Sequence, residues 1–140
     1  MKPEDKELLL KDLCARLPYG VKVQYNGSSI RLIQAIGKEG NEPYFKSKEV
    51  AGWLDVGSCK PYLRPMSSMS EEEQKEYHKT FRPETYGSGC GYVYVESVYS
   101  FDWLNKNMFD FRGLIDKGLA IEVTEDNNPY KLRYDKKRRN

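Results

Sequence analysis

The sequence has few of the residues that build metal centres and disulfide frameworks. Its 140 residues include three cysteines and one histidine, namely Cys14, Cys59, Cys90 and His78. An odd number of cysteines without a C-x-x-C pair disfavours a disulfide framework and thioredoxin-like chemistry. One histidine without paired thiols leaves too few soft ligands for a structural zinc ion. We therefore expect a reduced chain with no bound metal and no cofactor.

Long apolar runs are also lacking. The mean hydropathy is −0.79, and no stretch of the sequence is apolar enough to span a membrane. Three of the first five residues are charged and no apolar segment of the kind found in signal peptides follows them, so we expect no signal peptide. We expect a cytoplasmic protein without membrane contact. Hydrophobic residues still make up 39% of the chain, which is enough for a packed core.

Hydrophobic periodicity predicts an α+β fold, with a single compact domain over residues 1–128. Residues 3–17 have helical spacing, with Cys14 on the expected apolar side. Residues 19–65 contain short alternating segments separated by turns, of which Asn26-Gly27 is the strongest hairpin signal. Four or five such strands at even spacing predict a small SH3-like antiparallel β-barrel.

The second half of the chain predicts short helices and strands. Ser70 and Glu73 form a capping-box pattern at the start of a polar helix, and Tyr92–Val95 has strong strand propensity. Ser100 and Asp110 are candidate caps of two short C-terminal helices. Alternation in 119–123 and again in 130–134 predicts a C-terminal β-hairpin, whose second strand belongs to a basic segment, 129–140, with a flexible end.

Catalytic motifs are scarce. The sequence has no P-loop, no G-x-G-x-x-G, no H-E-x-x-H and no nucleophile elbow. The one enzyme hypothesis uses Cys90, flanked by glycines, with His78 as base and Glu84 or Asp102 as acid. The glycines are explained equally well by a loop before a strand, and His78 suits the surface of a polar helix. We therefore expect no enzyme activity and assign no catalytic residue.

Aromatic residues are plentiful, with eleven tyrosines and two tryptophans. Small antiparallel barrels commonly present aromatic side chains beside polar loops and bind extended peptides along them. Each tyrosine taken alone is more simply a core or rim residue. As a group they predict a recognition surface for an unknown protein partner, with three candidate residues, Tyr44, Trp53 and Tyr62.

The charge is unevenly distributed along the chain. The last twelve residues carry six basic groups and one acid, a charge of +5, whereas the other 128 carry 17 basic and 20 acidic groups, a charge of −3. This pattern allows an alternative function, nucleic-acid binding through a wing-like hairpin and tail. The acids in 102–116 argue against a groove-reading helix. The candidate phosphate contacts are Lys131, Arg133, Lys136, Lys137, Arg138 and Arg139.

Three stretches together carry a resemblance. They are LLLKDLCARLPYGV at 8–21, KPYLRPMSSM at 60–69, and DWL at 102–104 followed by FDFRGLIDKGLA at 109–120. In these stretches the chain resembles a family of short uncharacterised proteins of gut bacteria and of their phages and mobile elements. The resemblance implies a bacterial or phage cytoplasm and an accessory role, and it brings no catalytic residue. The combined expectation is a non-enzymatic protein-binding accessory of a phage or mobile element.

Overall fold

The computed structural model describes residues 1–85 and 91–130. Helices and strands both occur, which confirms the predicted α+β class. Within the described ranges the helices are α1 Pro3–Arg16, α2 Glu71–His78 and α3 Val98–Lys106. The strands there are β1 Lys22–Tyr25, β2 Ser29–Glu39, β3 Glu42–Ser47, β4 Trp53–Asp55, β5 Cys59–Pro65, β6 Arg82–Thr85, β7 Tyr92–Val95, β8 Phe109–Asp110 and β9 Ile121–Glu122.

Seven strands form one mixed sheet in the order β4-β3-β2-β1-β5-β8, with β9 also pairing with β5. Strands β1 to β4 form an antiparallel meander, and β5 lies antiparallel on the other side of β1. The second half of β5 has parallel partners instead. Tyr62 and Leu63 pair with β9, and Arg64 and Pro65 pair with β8. Strand β5 thus joins the early meander to the last part of the described chain.

The predicted SH3-like barrel is wrong, because the sheet does not close. Strand β4 ends the sheet on one side, while the partners of β5 on the other side come from residues after 108. Alternating hydrophobicity shows only that one face of a strand is buried, so it does not distinguish an open meander from a barrel. The pairing that decides between them involves residues distant in sequence.

Helix α1 buries a different side from the one expected. Leu9, Asp12, Leu13 and Arg16 are 0% exposed, whereas Cys14 is exposed. These four positions follow the i, i+3, i+4, i+7 spacing of one helix face. The prediction that Cys14 faces the core was wrong because it treated Asp12 as a solvent-facing residue. The two leucines pack in the main core with Val21 and with sheet residues that include Val23, Ile33, Phe45 and Leu63.

Buried charges connect α1 to the segment after α3. The Asp12 carboxylate accepts hydrogen bonds from Arg16 Nε at 2.9 Å and from Arg112 Nη1 at 2.6 Å. Arg16 Nη2 donates to the Phe109 carbonyl at 2.7 Å, and the Arg112 guanidinium lies 4.2 Å from the centre of the Phe111 ring. Asp12 can therefore be buried because two cations of the same chain surround it.

Two local predictions are confirmed. Asn26 and Gly27 have φ of 51° and 73°, the left-handed conformation that a type I′ turn requires, and they connect β1 to β2. The Ser70 hydroxyl accepts from the Glu73 backbone N–H at 3.1 Å, and the Glu73 carboxylate accepts from the Ser70 N–H at 3.0 Å. This capping box begins α2.

The C-terminal caps differ from the predictions. Helix α3 begins after Ser97, and Ser100 lies in its first turn, where its hydroxyl accepts from the Ser97 N–H at 2.9 Å. Asp110 does accept hydrogen bonds, from the N–H groups of Leu114 at 2.9 Å and Ile115 at 2.8 Å. Turns follow it, however, and not the short helix that was predicted. A capping side chain can stabilise one turn of backbone, but a helix also needs an apolar face that packs against the rest of the protein.

The Tyr130 hydroxyl links β1 and β5 just beyond their last paired residues. Its hydroxyl accepts from the Lys22 N–H at 3.0 Å and donates to the Tyr62 carbonyl at 2.9 Å. Burial raises the pKa of Tyr130, so the hydroxyl keeps its proton. Strand β9 lies in the main sheet beside β5. In the predicted second strand of the C-terminal hairpin, Tyr130 lies in a turn and residues 131–134 lie outside the described residues.

Candidate functional site

Tyr44 and Trp53 lie on the outward face of the sheet. Alternate residues of β3 are buried, namely Pro43, Phe45 and Ser47, so Tyr44 points away from the core. In the register of β3 and β4, Tyr44 pairs with Asp55 and Lys46 pairs with Trp53. This makes Tyr44 and Trp53 diagonal neighbours, whose side chains are within reach of each other across antiparallel strands.

The two aromatic residues line a pocket of about 440 Å³ together with Gly37, Lys38 and Glu39. A Cβ placed on Gly37 would lie 3.7 Å from two atoms of the Trp53 ring, so the indole crosses β3 and rests above β2. The exposed fraction of Trp53 is 55%. We call this site the aromatic pocket. Its volume lies within the range of ligand-binding clefts, and its walls combine two aromatic rings with the charged residues Lys38 and Glu39.

Glu42, two residues before Tyr44 in β3, forms an ion pair with α1. Lys6 from α1 donates to the Glu42 carboxylate at 3.0 Å, and this hydrogen bond raises the pKa of Lys6. Asp55, at the end of β4, accepts from the Gly57 N–H at 3.2 Å and from the Ser58 hydroxyl at 3.3 Å. These contacts fix the end of β4, two residues after Trp53, to the turn that follows it.

Tyr62 does not belong to this surface. Its side chain is 5% exposed, so it has almost no area to offer a partner. It lies in β5, beyond β2 and β1 in the strand order, and its hydroxyl accepts from the Gln24 side chain at 3.5 Å. Of the three predicted binding residues, the structure therefore brings together Tyr44 and Trp53.

A second aromatic surface was not predicted as a site. Strands β6 and β7 form a separate two-stranded sheet, and every residue of both except Val95 is exposed. Helix α3 follows directly and adds further exposed side chains. We call this the hairpin surface. It consists of Tyr92 (59% exposed), Val93 (40%), Tyr94 (61%), Val98 (71%), Tyr99 (71%) and Phe101 (41%).

The hairpin surface is attached to the body through polar contacts and an aromatic cluster. The Tyr77 hydroxyl donates to the Glu96 carboxylate, and the Ser97 hydroxyl donates to the Thr80 carbonyl at 2.6 Å. Beneath them Tyr77 stacks on Trp103. The surface was missed because Tyr92–Val95 was interpreted only as a strand. The sequence feature that could have revealed it is the lack of polar and apolar alternation in Tyr92–Val95. A strand without a polar face is expected to pack against other protein on both faces.

The residues of the enzyme hypothesis show no catalytic grouping where the structure describes them. His78 is exposed and packs against the rings of Tyr77 and Phe81. Glu84 pairs with Arg82 at 2.8 Å, and Asp102 lies within α3 and not at its start. Burial raises the pKa of Cys59 to about 12. Cys90 lies outside the described residues.

The basic residues of the alternative function also lie outside the described part of the chain. They are Lys131, Arg133, Lys136, Lys137, Arg138 and Arg139. Over residues 1–85 and 91–130, no group of three His, Cys, Asp or Glu side chains is placed to hold a metal ion. None of the helices in those ranges has the length and apolar character needed to cross a membrane.

Comparisons with protein-family models, with curated proteins and with solved structures give no match to this chain.

Proposed function

We propose that this chain is a small non-enzymatic protein-binding module, which binds an extended peptide segment of a partner protein at the aromatic pocket. The observation that supports this most directly is the position of Trp53, a large ring 55% exposed on an edge strand. Tryptophan and tyrosine are enriched where proteins bind one another, because they offer a large contact area with few rotatable bonds.

The architecture around the pocket suits an extended ligand. Among the described residues, β4 is the last strand of its sheet, so a peptide could add beside it through main-chain hydrogen bonds. A side chain of that peptide would enter the pocket between Trp53 and Tyr44. Main-chain pairing would supply affinity, and the aromatic pocket would select the side chain. The resemblance to short proteins of phages and mobile elements supports an accessory role for this binding in a bacterial cytoplasm.

The experiment is selection of peptides from a displayed random library on the full chain, followed by fluorescence anisotropy with labelled synthetic peptides. Trp53→Ala should weaken binding of the selected peptides at least about tenfold, or about 1.4 kcal/mol, because Trp53 would be the central aromatic residue of the interface and truncation of such residues typically costs about 2 kcal/mol or more. Ile30→Ala is the matched control, since Ile30 is 47% exposed in β2 and away from the pocket.

Two results would reject this function. One is that no peptide sequence is enriched over the unselected library. The other is that the enriched peptides bind the Trp53→Ala variant as tightly as the unchanged chain.

Nucleic-acid binding through the basic C-terminal residues is the second candidate, and the charge of +5 in the last twelve residues favours it. Deleting 136–139 removes four of the six basic groups. If this function is correct, binding of an RNA or DNA duplex should weaken and its dependence on salt concentration should become shallower. Unchanged binding after the deletion would reject it, whatever the result at the aromatic pocket.

A further inference from the structure

We infer that the hairpin surface is an interface between two copies of this chain, with β7 of one copy pairing antiparallel with β7 of the other. The two hairpins would then form one four-stranded sheet, in the order β6-β7-β7-β6. This surface is separate from the aromatic pocket, so the inference does not depend on the proposed peptide binding.

The two strands of the hairpin differ in how their outer edges are protected. Strand β6 carries Arg82, Pro83 and Glu84, and Pro83 has no N–H to donate. Charges and proline are the usual devices that prevent an exposed edge from pairing with another chain. Strand β7 has none of them, since it reads Tyr-Val-Tyr-Val. Within the described residues β7 pairs only with β6, so its other edge is open there.

The sequence of β7 is suited to pairing with itself. In a two-fold interface the same patch occurs on both sides, so each residue must be compatible with its counterpart. An antiparallel pair centred on Val93 places Tyr92 of each copy opposite Tyr94 of the other. Aromatic pairs directly across antiparallel strands are among the stabilising combinations. Within one copy these two rings already pack edge to face, with their centres 5.5 Å apart.

The exposed area is large enough for a dimer. Taking about 150–250 Å² for a whole aromatic side chain, the exposed fractions of the four rings leave roughly 350–580 Å² per copy. If the interface covered all four rings, two copies would bury at most roughly 700–1,150 Å² through them, against about 1,200 Å² for the smaller stable interfaces. Val93, Val98 and the paired backbones provide the remainder. An isolated hairpin of two four-residue strands is also only marginally stable, and two more strands would support it.

The charges around the surface are also compatible with a second copy. A patch with net charge would repel its own copy, because a two-fold interface places like charges together. Here Arg82 and Glu84 neutralise each other at 2.8 Å, which leaves the Glu96 carboxylate, bound to the Tyr77 hydroxyl, as the single acidic group directly after β7. Strand β7 itself has no charged residue. A neutral aromatic patch therefore fits its own copy better than a strongly charged partner.

Sedimentation velocity on the full chain over a concentration series tests this inference. We expect a mass of twice 16.3 kDa at high concentration and 16.3 kDa on dilution. Tyr94→Lys should shift the transition to at least tenfold higher concentration, because each lysine would lie in the new strand junction. Tyr19→Lys is the control, with the same change at a tyrosine 38% exposed elsewhere, and it should leave the transition in place.

Hydrogen exchange provides a second measurement, independent of the variants. The amides of Tyr92–Val95 should exchange more slowly at high protein concentration than at low concentration, while those of Lys22–Tyr25 in β1 should not change. A chain that stays at 16.3 kDa at every concentration would overturn the inference. So would a dimer that Tyr94→Lys leaves intact, or one whose β7 amides exchange at the same rate at all concentrations.

Discussion

The junction between α1 and the segment after α3 hides charge, whereas the hairpin surface exposes aromatic rings. Asp12 and Arg16 are 0% exposed, while Tyr94 and Tyr99 are 61% and 71% exposed. Both regions reverse the usual distribution of residues between interior and surface. The charges can be buried because each finds its counterpart in the same chain. The described residues leave most of the Tyr94 and Tyr99 side chains uncovered, which is why we assign their cover to another molecule.

The largest effect should come from breaking the buried ion pairs. Asp12→Ala leaves Arg16 and Arg112 without their carboxylate, and removing one partner of a buried pair typically costs about 3–5 kcal/mol. Urea denaturation should show this loss in the free energy of unfolding. Asp126→Ala, at an exposed turn, is the control and should change little. A loss below about 1 kcal/mol for Asp12→Ala would mean that water replaces the carboxylate, and that the junction is not closed.

A smaller loss is expected from the hydroxyl between β1 and β5. Tyr130→Phe keeps the ring and removes the partner of the Lys22 N–H and the Tyr62 carbonyl. Leaving such groups unsatisfied costs about 1–3 kcal/mol, again measured by urea denaturation. Tyr19→Phe removes a hydroxyl from a more exposed residue and should be close to neutral. Equal effects of the two changes would show that water reaches these two groups.

Arg64 and Glu73 form an intermediate case, since their side chains are 26% and 24% exposed. The Arg64 guanidinium donates to both carboxylate oxygens, at 2.7 and 2.8 Å, and lowers the pKa of Glu73 from 4.5 to about 2. A lowered pKa stabilises the fold above the unfolded value of 4.5, and this stability is lost as the pH falls towards 2. After allowance for screening by solvent, we expect about 1 kcal/mol.

Glu73→Gln isolates this contribution, because glutamine can still complete the capping box with Ser70. The free energy of unfolding of the two chains, followed from neutral pH to pH 2, should differ at neutral pH and converge in acid. Parallel curves over the whole range would show that the carboxylate does not titrate with folding.

The smallest effect should come from the hairpin surface itself. Tyr99→Ser removes a ring that is 71% exposed, so at concentrations where the chain is a monomer its free energy of unfolding should change by no more than about 0.5 kcal/mol. Thermal denaturation of dilute samples measures this. A loss above about 1 kcal/mol would show that the ring packs within its own chain, and the contrast between the two regions would then disappear.

Features decided within a few residues could be predicted from the sequence. The Asn26-Gly27 turn and the Ser70 capping box depend on neighbouring atoms, and the structure confirms both. The predicted N-terminal helix is also present, although its buried face is displaced by one position along the helix. That displacement depends on Arg112, which is 100 residues from Asp12 in sequence. No local pattern contains that contact, so the sequence alone could not show that Asp12 is buried.

The candidate sites were predictable to different degrees. Tyr44 and Trp53 occupy neighbouring short strands of a meander, so their proximity follows from local pairing. Tyr62 was assigned with them only as another aromatic residue of the expected barrel, and in the open sheet its strand lies beyond β2 and β1 from theirs. To predict the hairpin surface, β6 would have had to be recognised as the partner of β7. Pro83 within that segment made it look unlike a strand. Proline is compatible with an edge strand, and β6 is one.

The position of β5 between early and late parts of the chain affects the order in which the sheet can form during synthesis. Its first half can pair with β1 as soon as residue 65 has left the ribosome, but its second half must wait for residues 109–122. Pairing over such a separation is slow compared with closing a local hairpin. In a nascent chain halted before residue 109, the second half of β5 would lack its partner strands. We expect proteases and chaperones to recognise this unpaired segment until synthesis finishes.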